Sequence, residues 1–163
     1  MGSHTDVIHS SCDSKTAPTP DPAHISIWIA LNRARLSVMR DVDKKLRTEG
    51  LPPLTWYDVL WAIEMRGGAA RPAEIVEDLL FEPSALSHMT KRMEAAGLLR
   101  ICIARDDKRG RVLRLTPAGA QARLAIWQIY GTALETQLRA LNQLADPDAV
   151  SRALNAVVRP DPD

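Results

Sequence analysis

The chain has 163 residues, of which 45% are apolar and 25% charged, and 21 Lys plus Arg nearly balance 20 Asp plus Glu for a net charge of +1. This composition suits one soluble globular domain with tails, and it excludes a wholly disordered chain or a disulfide scaffold. No apolar run approaches the roughly 18 residues that a membrane-spanning helix needs.

Residues 1–23 are rich in Ser, Thr, Pro, Asp and His, with Pro18, Pro20 and Pro22 alternating with small or acidic residues. Such a segment buries too little apolar area to offset its ordering entropy, so it is expected to be a disordered tail. It holds no basic region followed by an apolar stretch, so no secretory signal is expected and the expected location is cytoplasmic. Residues 24–50 form the next unit. Ile27, Leu31, Ala34, Val38, Val42 and Leu46 recur every three or four positions, which predicts a helix over 24–48. Its first turns also carry Ile25, Trp28 and Ile29, more apolar surface than one stripe requires, so this end is expected to meet a second body.

Pro52-Pro53 marks a turn before a helix from Leu54 to Met65, which Gly67-Gly68 ends. Pro72, Pro83, Pro117 and Pro147 each stand where a helical period begins, and the first helical position tolerates a missing N–H. They predict a short helix ending near Leu80, a helix over 83–96 stopped by Gly97, a long helix from Pro117 to about Asn142, and a final helix over 147–158. In the last, Val150, Leu154, Val157 and Val158 are expected to face inward. Residues 159–163 read as a frayed tail. Between Gly97 and Pro117 the period changes. Leu99–Ala104 and Arg111–Leu115 alternate or are β-branched around a polar turn closed by Gly110, which predicts a hairpin.

Cys12 and Cys102 are isolated, and the four histidines show no paired helical spacing, so neither a metal site nor a cofactor is expected. No nucleophile–base pair, paired catalytic carboxylates or phosphate-cradling glycine loop is visible, so the chain is not expected to be an enzyme. Charge is unevenly distributed instead. Residues 91–114 carry eight Lys or Arg against three acids, a net +5, and the rest of the chain carries −4. A neutral total therefore hides a basic face of the kind that phosphate binding needs. Helix, short turn, helix and basic hairpin is the order of a winged helix-turn-helix.

Three segments carry a resemblance: Leu54-Thr-Trp-Tyr-Asp-Val-Leu60, Pro83-Ser-Ala-Leu-Ser-His-Met-Thr-Lys-Arg-Met-Glu-Ala-Ala-Gly-Leu98, and Asp107-Lys-Arg109 followed by Leu115-Thr-Pro-Ala-Gly119. Together they resemble the MarR family of bacterial winged helix-turn-helix transcriptional regulators. The resemblance implies a mainly α fold with a small β-hairpin wing, a DNA-binding domain over 51–116, and dimerisation helices over 24–50 and 117–158. It implies a cytoplasmic homodimer that binds a pseudo-palindromic operator in double-stranded DNA, with the recognition helix 83–96 in the major groove and the wing 100–115 on the minor groove. Ser84, Ser87, His88, Lys91 and Arg92 would face the major groove or its phosphates. Arg109 would enter the minor groove, with Arg105, Lys108 and Arg111 beside it, and Asp107 would hold the wing.

The chain departs from the family pattern at Leu80-Phe81, where a turn glycine is usual, and at Ile101, where an arginine is usual and Arg100 stands one position earlier. Aromatic residues are only 4% of the chain, yet Trp28, Trp56, Tyr57 and Trp61 fall in the first two helices. Members of the family often hold a small aromatic effector there, so Trp28, Trp56 and Tyr57 are candidate walls for a phenolic or aryl carboxylate ligand that relieves repression. Two alternatives stand beside this reading: a redox-responsive regulator using Cys102, and a module that binds DNA without sequence preference or binds a protein.

Overall fold

A computed structural model describes residues 19–104 and 110–158. Packing divides the chain into residues 1–33 and 34–163. Helix α1, Pro22–Thr48, begins in the first of these. Asp21 starts it: its carboxylate accepts from the Ala23 backbone N–H at 2.7 Å, satisfying one of the free donors of the first turn. Ile25, Ile27, Trp28, Ile29 and Leu31 are exposed along this part of the helix.

In the second unit α1 continues to Thr48, burying Val42 and Leu46. Gly50, at φ +68°, turns the chain so that Leu51 N–H returns to the Leu46 carbonyl at 2.9 Å. Helix α2, Leu54–Met65, is almost wholly apolar and supplies two cores at once. Strand β1, Ala69–Ala70, helices α3 (Pro72–Leu79) and α4 (Pro83–Ala95), and strands β2 (Leu99–Ile103) and β3 (Arg111–Leu115) follow. The chain closes with α5 (Pro117–Leu138), α6 (Leu141–Leu144) and α7 (Pro147–Val158). The fold is mainly α with a three-stranded antiparallel sheet in the order β1-β3-β2. Ala69 pairs with Arg114, and Leu99, Ile101 and Ile103 pair with Leu115, Leu113 and Arg111.

One core packs Val59, Leu60 and Ile63 of α2 against Ile75 of α3, Leu86 and Met93 of α4, and Leu99 and Leu113 of the sheet. A second packs Val42 and Leu46 of α1 with Leu54 and Tyr57 of α2 and Ile126 and Ala133 of α5. Tyr57 stacks on Trp127 at 5.8 Å and meets Tyr130 edge-on at 5.5 Å, geometries that aromatic quadrupoles favour. Two salt bridges tie α2 to its neighbours: Arg66 to Asp78 of α3, and Arg123 of α5 to Glu64.

Several sequence expectations change. The expected helix to Asn142 ends at Leu138 and is followed by the separate short α6. β1 was not expected; two alanines carry no strand signal, and pairing with β3 creates it. Val157 and Val158 do not face inward: they are 76% and 55% exposed, and α7 contains no buried residue.

Candidate nucleic-acid interface

Helix α4 turns Leu86, Thr90 and Met93 into the core and leaves Ser84, Ser87, His88, Lys91 and Arg92 exposed. At 100° per residue these five side chains spread over the outer half of the helix, with Ser87 and Arg92 on opposite flanks. Thr90 is the one buried polar side chain of the helix, and its hydroxyl donates to the Leu86 carbonyl at 2.9 Å, so it needs no further partner. The Glu94 carboxylate accepts from the Ile101 N–H at 2.7 Å and fastens the end of α4 to β2. The hairpin is thereby fixed beside the Ser87 flank.

Alternation along the strands sorts the arginines. Arg111 shares the face of Leu113, which points into the core, and it stands exposed at the hairpin end of β3 near α4. Arg100 and Arg114 are directly opposite one another on the outer face, both exposed. The register thus turns Arg100 away from the helix beside which Arg111 stands. Arg105, Asp107, Lys108 and Arg109, the expected wing-tip residues, lie outside the described residues.

A cavity of about 390 Å³ opens between α3, α4 and the sheet. Val76, Leu86, Ile101 and Leu113 form apolar walls, and Ser87, Lys91 and Arg111 are also among its lining residues. A second cavity of about 410 Å³ lies between α1, α2 and α5, where Asp58, Arg35 and Tyr130 stand among apolar side chains. Burial raises the Asp58 carboxyl above the ordinary carboxylate range, and the Arg35 charge offsets part of that rise. Sequence reasoning passed over Asp58, although an acid between Tyr57 and Val59 in an almost wholly apolar helix is a visible signal.

The three candidate aromatic residues fall in both units: Trp28 in the first, Trp56 and Tyr57 in the second. Trp28 is exposed on the first unit. Trp56 is partly buried against the first core, and Tyr57, its neighbour in sequence, is buried in the second. Neither Trp56 nor Tyr57 lines either cavity. Trp56 instead faces Arg92, whose guanidinium carbon is 5.8 Å from the indole centroid. Cys102 is partly buried opposite Val112, and Cys12 lies outside the described residues. Among the described residues no group of His, Cys, Asp or Glu could hold a metal ion, and no helix is long and apolar enough to cross a membrane.

Residues 49–110 match the MarR family model. No curated protein matches the sequence. Solved structures do match in fold. AbsC, a MarR family transcriptional regulator from Streptomyces coelicolor, superposes with a TM-score of 0.70 at 20% identity, covering 88% of this chain and 94% of AbsC. A mutant MarR from E. coli complexed with operator DNA gives 0.67 at 20% identity over 88% and 100% of the two chains. The organohalide-sensing transcriptional regulator RdhR, in its 2,4-dichlorophenol-bound form, gives 0.71 at 16% identity over 94% and 88%. MarR family members are transcriptional regulators and not enzymes. Residues 49–110 are thus similar to the MarR family, and the chain is similar in fold to solved MarR family transcriptional regulators.

Proposed function

We propose that the protein is a homodimeric, sequence-specific DNA-binding repressor whose operator complex is released by a small aromatic ligand. The observation that carries the DNA reading is the exposed half of α4, where Ser84, Ser87, His88, Lys91 and Arg92 stand beside Arg111 of the wing. An α-helix fits the major groove, where hydroxyl, imidazole and cationic side chains reach base edges and phosphates. Arg109 and its neighbours would extend this contact into the minor groove, whose negative potential favours arginine. That MarR from E. coli has been solved with operator DNA supports the reading.

Exposed apolar side chains support the dimer reading. Ile25, Ile27, Trp28 and Ile29 on α1 are exposed, and so, separately, are Leu154, Val157 and Val158 on α7; a second copy would cover apolar side chains of this kind. Two copies would present their recognition helices to half-sites about 10 bp apart.

The ligand reading rests on the cavity beneath α4. Its apolar walls suit an aromatic ring, and Lys91 and Arg111 suit a carboxylate or phenolate. An occupant there would draw both cations away from phosphates, so ligand and operator would compete. RdhR, solved with 2,4-dichlorophenol, shows that a protein of this fold holds such a ring.

A mobility shift with DNA from upstream of the protein's own gene tests the function. Salt-sensitive binding with preference over unrelated duplex is expected, and Lys91→Ala or Arg111→Ala should lower the salt slope by about one each. Binding without sequence preference would overturn the assignment in favour of a general DNA- or protein-binding module. Sedimentation equilibrium should give a dimer mass. Benzoates and phenols added to the complex should release it, and Val76→Trp, which fills the cavity, should blunt that release.

A further inference from the structure

Trp56, a candidate ligand wall, lies between the first core and a cation. Its ring packs on the first core from α2, so its orientation is held by neighbours. The guanidinium of Arg92, exposed in the last turn of α4, lies over that ring at 5.8 Å. Among the described residues Arg92 forms no ion pair, so the aromatic face is what defines its place. Arg92 also stands on the flank of α4 opposite Ser87, and Ser87 lines the cavity shared with Arg111. The recognition helix therefore has Lys91 lining the cavity shared with the hairpin and Arg92 beside α2.

We propose that Trp56 is a positioning residue for DNA binding: its indole face holds the Arg92 guanidinium on the α2 flank of the recognition helix, set for a phosphate on the groove wall away from the hairpin. This role rests on the DNA-binding function proposed above. An arginine has many rotamers to lose when it meets a phosphate. A ring that already limits them lowers that cost, and stacking leaves the in-plane N–H donors free for the phosphate oxygens. A ligand-wall role would require an open space against the ring. Trp56 has the core on one side and a cation on the other.

The test is a double-mutant cycle on operator affinity at low and moderate salt, using the full chain with Trp56→Leu, Trp56→Phe, Arg92→Ala and the Leu–Ala double variant. Arg92→Ala should weaken binding and lower the salt slope by about one. Trp56→Leu should weaken binding about two- to five-fold, the range of an exposed cation–π contact, and Trp56→Phe, which keeps an aromatic face, should lose less. In the Arg92→Ala background Trp56→Leu should cost nothing more. A loss of the same size in both backgrounds would make Trp56 a packing residue only and overturn the proposal, as would an Arg92→Ala variant with unchanged affinity and slope. Failure of the unaltered protein to bind DNA at all would overturn the function itself, and this role with it, before any variant is compared.

Discussion

The carbonyl oxygen of Leu98 occupies the space that a Cβ on Gly119 would need. Leu98 ends the turn after α4, and Gly119 is in the first turn of α5, so the close approach brings the start of the sheet against the helix that leaves it. Thr116 completes the joint. Its backbone N–H donates to the Leu98 carbonyl at 3.2 Å, its hydroxyl donates to the Gly97 carbonyl at 2.7 Å, and the same oxygen accepts from Gly119 N–H at 3.0 Å. The Leu-Thr-Pro-Ala-Gly sequence is therefore a structural joint, with threonine as cap and glycine as the permitted contact. Gly119→Ala must displace backbone, and overpacking of that kind costs about 1–3 kcal/mol. Thr116→Ala loses the cap, about 1 kcal/mol. Urea denaturation should show both losses. An unchanged midpoint for Gly119→Ala would mean that the two segments separate freely.

Leu80 closes α3 at φ +53°, the left-handed region, with its side chain 73% exposed. It belongs to the Leu80-Phe81 pair that stands where the family pattern usually has a turn glycine. Leucine bears the strain of this conformation, since a Cβ in this region crowds the following carbonyl. Nothing in the core compensates, because the side chain is in solvent. Leu80→Gly should raise the denaturation midpoint by the equivalent of about 0.5–1 kcal/mol, the relief of the left-handed penalty less glycine's extra unfolded-state entropy. A lower midpoint would show that the exposed leucine makes a stabilising contact.

Local signals carried most of the fold. Prolines at the first positions of α3, α4, α5 and α7 and glycines after α2 and α4 mark those helices in the sequence itself. The hairpin was legible from its alternation, and so was the exposed half of α4. What depends on a second segment was not. β1 exists because Ala69 and Ala70 meet β3. The α7 stripe states what the helix can bury and not against which body, so its exposure in the structure was hidden. Trp56 and Tyr57 are adjacent in sequence but about 100° apart on α2, and only the packing reveals that they face different cores.

Glu64 and Arg123 join α2 to α5 between the two cores. Arg123 Nη2 donates to Glu64 Oε1 at 3.2 Å, and its Nε is ion-paired with Oε2 at 2.7 Å. The arginine side chain is only 15% exposed, so removing the Glu64 carboxylate leaves a cation with little access to water and no anion in the pair. Glu64→Gln keeps the shape and loses the charge, and Glu64→Ala loses both. Loss of a charged hydrogen bond in such a place costs about 1.5–3 kcal/mol. Thermal melts should rank the variants unaltered, Gln, then Ala. Equal stability of all three would mean that solvent already screens the pair.

Asp58 makes stability depend on pH in a sense opposite to that of a salt-bridged carboxylate. Burial raises its pKa in the folded protein above the ordinary value of 3.8, with Arg35 giving back part of the rise. Tyr130 lines the same cavity, and burial raises its hydroxyl as well, so at neutral pH it adds no charge there. Between the unfolded and folded values of Asp58, the folded state binds more protons than the unfolded state, so this group's contribution to stability falls as pH rises through that window. Above the folded value the penalty is complete, and below 3.8 it is absent. Asp58→Asn removes the ionisation and keeps the shape. It should melt higher than the unaltered protein at pH 7, and the gap should close as pH falls towards the unfolded value. A gap that is independent of pH would assign the effect to packing. An Asn variant that melts lower at pH 7 would show that attraction to Arg35 outweighs the cost of burying the charge.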